Sequence, residues 1–150
     1  MEKLAYKLVL FCSLLLIAGC SPSKSFVEVG MSKEEVLNIY TDFFESYDVD
    51  HRISKDTILY GFYVKNQPVE SIMLFKNDTC YYQEINMYCS ICYDKAIRDI
   101  LRDKRYNFEV LDAANYRSTK QPNIIMRIKD NPLKEESCSK IRISDTRVRE

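Results

Sequence analysis

Apolar and polar positions recur along this chain with two different periods. Val36, Tyr40, Phe43, Phe44 and Tyr47 follow a helical spacing, which predicts a helix over 33–47. Its start carries its own signal. Ser32 suits the N-cap and Glu35 suits the third helical position, a reciprocal capping box, and Met31 and Val36 flank it as a hydrophobic staple. The period then drops to two. Ile58, Tyr60, Phe62 and Val64 alternate in one strand, and Val69 to Lys76 forms a second with apolar residues on both faces. In a third, Tyr81, Gln83, Ile85 and Met87 share one face and Tyr82, Glu84 and Asn86 the other, which is expected to be wet. Turns are expected at 65–68 and at 76–79, where Asn and Asp cluster.

A second helix is expected over 91–104. Tyr93, Ala96, Ile97, Ile100 and Leu101 make its apolar stripe, and Asp94, Arg98, Lys95 and Asp99 stand outside it. Three further strands follow, over 108–112, 124–129 and 138–143. The order helix, three strands, helix, three strands predicts an α+β domain: an antiparallel sheet with two helices on one face, and a candidate tandem α-β-β-β repeat. Met73 to Cys80 and Met126 to Cys138 echo each other in support of that repeat.

The first 20 residues follow a different logic. Lys3 and Lys7 precede an apolar run, Leu8 to Ala18, too short for the roughly 20 residues that span a bilayer core but right for the centre of a signal peptide. The run ends in Ile17-Ala18-Gly19-Cys20. This stretch resembles the lipobox of bacterial lipoprotein precursors. That resemblance implies cleavage between Gly19 and Cys20, lipidation of Cys20, and anchoring in the cell envelope. More than one acyl chain is needed for a stable hold, at about 0.8 kcal/mol per buried methylene. Ser21 rather than Asp after the cysteine implies the outer membrane, by the enterobacterial sorting rule. The expected organisation is therefore a signal over 1–19, a lipidated terminus and tether over 20–28, one domain over 29–145 and a charged tail over 146–150.

Two further resemblances lie in the mature part. Val29-Gly30-Met31-Ser32-Lys33-Glu34-Glu35-Val36 is similar to the opening of small lipoproteins of the outer-membrane protein assembly machinery, whose domains are similar to one half of the β-lactamase inhibitory protein. That family continues Leu-Leu-Gly-x-Pro, where this chain has Asn38-Ile39-Tyr40-Thr41-Asp42. Phe75-Lys76-Asn77-Asp78-Thr79-Cys80, a tyrosine-rich strand and a helix ending near Tyr106 are similar to small lipoproteins of Bacteroides-like bacteria, a likeness that implies no activity.

Charge and composition narrow the function. Without Lys3, Lys7 and Glu2 the chain keeps 20 basic and 21 acidic side chains, which argues against nucleic acid as a partner. Only 3 glycines are present, with no phosphate-cradling motif and no cofactor signature. Apart from Cys12 and Cys20, four cysteines remain: Cys80, Cys89, Cys92 and Cys138. In an exported domain they are candidate disulfide partners, with three pairings open. Cys89-Ser90-Ile91-Cys92 also has the place of a redox CxxC, at a helix start where a thiolate is stabilised, but it lacks the Trp before and the Gly-Pro within. One tight cysteine pair does not make a zinc site. His51, with Asp48 and Asp50 near it, reads as a solvated loop. Tyr81, Tyr82, Tyr88 and Tyr93 form a candidate partner or ligand surface. These signs favour a non-enzymatic, lipid-anchored envelope protein that binds another protein or assists envelope assembly, with thiol–disulfide exchange or ligand binding as the alternatives.

Overall fold

The computed structural model describes residues 27–46, 49–64, 66–88, 90–129 and 139–148. The signal segment, Cys20, Asp48, Cys89 and Cys138 lie outside them. Helix α1 spans Lys33–Ser46 and α2 spans Ser90–Leu101. The strands are β1 (Asp50–Ile53), β2 (Thr57–Val64), β3 (Gln67–Lys76), β4 (Thr79–Met87), β5 (Phe108–Val110), β6 (Asn115–Ser118), β7 (Ile124–Lys129) and β8 (Ser139–Asp145).

The expected α+β class holds, and sheet dominates it. All eight strands form one antiparallel sheet in the order β1-β2-β3-β4-β8-β7-β6-β5. Each half is a helix followed by a four-stranded meander. The last strands of the two meanders, β4 and β8, meet at the centre, and α2 carries the chain from β4 to the far edge. The repeat is thus α-β-β-β-β, one strand longer per half than the expected α-β-β-β. The two additional strands are β1 and β6. Strand β1 is an edge strand exposed along its length, and its Asp50 and Arg52 make it resemble a loop. Strand β6 is short and begins with Asn.

Local chemistry explains the ends. The capping box forms as expected: the Ser32 N–H donates to Glu35 Oε2 at 2.8 Å and the Glu35 N–H to Ser32 Oγ at 3.2 Å. Between β3 and β4 the two loop residues Asn77 and Asp78 both have positive φ, 49° and 63°. That is the twist a two-residue hairpin needs, and Asn and Asp tolerate it. A bulge between Leu74 and Phe75 shifts the register, so Phe75 lies opposite Cys80. Cys80, not Tyr81, therefore joins Gln83, Ile85 and Met87 beneath the helices.

The core lies between the sheet and the helices. Val36, Tyr40 and Phe44 of α1 and Tyr93, Ala96 and Ile100 of α2 pack there with Ile58, Met73, Ile85, Met126, Ile141 and Ile143. The folded body also begins earlier than 29, since Val27 is 0 % and Glu28 1 % exposed. At the other end, Thr146 folds back to donate its N–H to the Asn123 carbonyl at 2.8 Å, so the body extends past Asp145.

Candidate functional site

Val27 to Met31 forms a strap across the helix side of the sheet. The Gly30 N–H donates to the Cys80 carbonyl at 2.7 Å and the Cys80 N–H to the Met31 carbonyl at 2.8 Å. The second half of the molecule grips the same strap. Arg105 Nη2 donates to the Val27 carbonyl at 2.9 Å, and the Tyr106 hydroxyl donates to the Val29 carbonyl at 2.8 Å. Asp103 holds the Arg105 guanidinium at 2.8 Å.

Beneath the strap is a buried polar network. Glu28 accepts hydrogen bonds from the Tyr40 hydroxyl at 2.9 Å and from Gln83 Nε2 at 2.8 Å. Tyr60 reaches Tyr40 at 3.5 Å, and Gln83 Nε2 reaches Ser71 Oγ at 3.5 Å. Burial pushes the Glu28 carboxyl up to about 7, against the opposing pull of Tyr40, Gln83 and Arg105. A carboxyl at about 7 would suit proton transfer. Its two oxygens are occupied by structural donors, so it fastens the strap to the sheet and α1.

Among the described residues, no helix covers the opposite face of the sheet. At its centre Glu84 accepts from Arg142 Nε at 2.6 Å, Lys140 Nζ at 3.3 Å and the Tyr82 hydroxyl at 3.0 Å. Burial alone would raise this carboxyl; the bonds from Arg142, Tyr82 and Lys140 outweigh it and hold it down at about 2. The face is thus less wet than expected here, since Glu84 is 9 % and Asn86 8 % exposed. Shallow hollows open on it. One, of about 270 Å³, lies over Gly61 between Asp50, Arg52, Leu59 and Glu70. Another, of about 280 Å³, has Tyr82, Arg127, Arg142, Ser144, Asp145 and Thr146 among its lining residues.

Among the described residues, the candidates named from the sequence do not converge. His51 lies on β1 and not in a loop: it stacks on Phe44 with ring centroids 4.6 Å apart, and its Nδ1 is 2.8 Å from the Val49 carbonyl. Its role is packing. Cys80 is a free thiol with 0 % exposure, 3.5 Å from the Tyr82 carbonyl, and burial pushes its pKa up to about 12. Neither a nucleophile nor a metal ligand is expected in that state. Cys92 falls in the first turn of α2. The tyrosines divide: Tyr93 is in the core, Tyr82 is on the uncovered face, and Tyr88 is exposed. Among the described residues no cluster of His, Cys, Asp and Glu could hold a metal ion. No helix among them is long and apolar enough to cross a membrane.

Glu28, Gln83 and Arg105 were not legible as partners, because they are joined only by the fold. A glutamine on the apolar side of a strand was the one signal available. No known protein family, curated protein or solved structure matches this chain.

Proposed function

We propose that the chain is a lipid-anchored protein of the bacterial cell envelope, held at the outer membrane through Cys20, that binds another protein and has no catalytic activity of its own. The observation that carries this reading is the burial of the strap directly after the tether. The seven steps from Cys20 to Val27 span at most about 25 Å. The folded body is therefore held close to any lipid on Cys20, and the strap enters it on the helix side. The uncovered sheet face is left to meet a partner. Palmitate labelling and fractionation of the parent and a Cys20→Ser variant test the anchor. An unlabelled parent, or a variant that still fractionates with membranes, refutes it. A photo-crosslinker at Leu74, on the uncovered face, tests the partner against one at Lys95 on the helix side. Adducts from both positions alike, or from neither, count against protein binding through the sheet.

A second reading is thiol–disulfide exchange by Cys89 and Cys92, supported by the place of Cys92 in the first turn of α2. Thiol labelling across pH, followed at each cysteine by mass spectrometry, decides it: an ordinary thiol pKa at both removes it.

A further inference from the structure

Strand register aligns the uncovered face into rows, and two of these rows break a rule of sheet stability. In one, Arg127 of β7 lies directly opposite Arg142 of β8; in the next, Lys129 lies opposite Lys140. Like charges directly opposite each other destabilise a sheet. Glu84 relieves Lys140 and Arg142 from the β4 side. It does nothing of the kind for Arg127 and Lys129, which are exposed and have no hydrogen-bonded carboxylate among the described residues; Arg127 has only the longer-range charge of Asp112. Arg117, opposite Ile125 on β6, adds a fifth cation and has Glu109 as its cross-strand neighbour. Among the described acidic residues of this face, Glu84 is engaged by Lys140 and Arg142, Glu109 stands opposite Arg117, and Asp50 and Glu70 stand away on β1 and β3. In a chain with equal numbers of acidic and basic side chains, this is segregated charge, kept at a cost to the sheet.

We propose that the β6–β7–β8 half of the uncovered face docks an acidic segment of a partner protein. This rests on the protein-binding reading above and specifies the partner's chemistry. The hollow between Tyr82, Arg127, Arg142 and Ser144 gives a carboxylate a place to sit. Arg142 spends its Nε on Glu84 and leaves both Nη groups without a hydrogen bond among the described residues. Asp145, which also lines the hollow, is already paired with Arg147 at 2.5 Å. Alongside, Ile72 and Leu74 are half-buried and give the partner an apolar border. A protein is favoured over the bilayer because the strap enters on the other side of the sheet.

The test uses the full chain in phosphatidylcholine vesicles, titrated with a fluorescein-labelled oligoglutamate peptide. The peptide should bind the parent, and R127E/K129E should weaken binding by about tenfold or more. K95E, on the helix side, should leave it unchanged. The double variant removes two like-charge pairs, so its melting temperature should equal or exceed the parent's, which separates lost binding from lost folding. The proposal is overturned if the peptide does not bind, or if the double variant binds it as the parent does. It is also overturned if reversal instead abolishes binding to phosphatidylglycerol vesicles that the peptide cannot match, or dissolves a dimer seen by sedimentation. Partner adducts from the Leu74 crosslinker without peptide binding overturn this proposal and leave the protein-binding reading standing.

Discussion

Gln83 holds Glu28 at two points. Its Oε1 accepts from the Glu28 backbone N–H at 3.0 Å, and its Nε2 donates to the Glu28 carboxylate at 2.8 Å. One side chain of the central sheet thereby fixes both the path and the side chain of the N-terminal strap. Gln83→Leu would keep the volume and leave both groups buried without those partners. The expected loss is about 2–4 kcal/mol of stability, from two unsatisfied groups, read by urea unfolding. A loss near zero would mean that water or another donor replaces the glutamine.

The same carboxyl makes stability depend on pH. Its folded pKa of about 7 lies above the ordinary 4.5, so between those values the folded state keeps a proton that the unfolded chain has released. Stability from this group is therefore greatest below about 4.5, falls as pH rises toward 7, and is flat beyond. The full effect is on the order of 3 kcal/mol. Glu28→Gln keeps the neutral shape, so its unfolding free energy should fall less between pH 5 and pH 8 than the parent's. Parallel slopes for the two proteins would show that Glu28 is not the titrating group.

What the sequence made legible was local. The capping box joins residues three apart, the Asn77-Asp78 hairpin needs only its own two φ angles, and the alternation of β2 and β7 is visible in their apolar residues. What it hid depends on distance or register. Glu28 and Gln83 are 55 residues apart, and Arg105 and Val27 are 78 apart. The Arg127–Arg142 and Lys129–Lys140 rows exist only once β7 and β8 are aligned. Strand β1 was hidden because its residues carry the polar pattern of a loop. The burial of Cys80 was hidden too, because the bulge that turns it into the core arises only when β3 and β4 are paired.

Glu84 works in the opposite direction to Glu28. Its carboxyl is held below the ordinary value, so its contribution is present above about 4.5 and is lost as pH falls toward 2. Glu84→Gln should cost about 1–3 kcal/mol at pH 7, because Arg142 and Lys140 lose a charged acceptor. It should also make the protein less sensitive to acid between pH 4 and pH 2. Thermal melts over that range decide the matter, and a variant as acid-sensitive as the parent would assign the loss to other carboxylates.

Gly30 has φ +96°, a conformation that L side chains rarely adopt. A Cβ added there would also meet Gln121 Oε1 at 3.2 Å and Ile124 Cδ1 at 3.7 Å. Gly30→Ala should destabilise the protein by about 1–2 kcal/mol through backbone strain, with Gln121 able to yield. Gly30→Ala combined with Gln121→Ala should recover only the steric part, and the double-mutant cycle from urea unfolding measures how much. Full recovery would place the cost in the contact and not in the backbone.

Cys80 tests whether the core stays closed. A thiol with its pKa pushed up to about 12 by burial, and with no exposed surface, should not react with iodoacetamide in the folded protein. Alkylation resolved by mass spectrometry should leave Cys80 unmodified in native buffer and modify it fully in urea. Its rate at intermediate urea should follow global unfolding, since Cys80 bonds through its backbone to both Gly30 and Met31 of the strap. If Cys80 reacts faster than the whole domain unfolds, the strap opens by itself. Glu28→Gln, which removes the charge that would favour opening above pH 7, should then slow that reaction selectively.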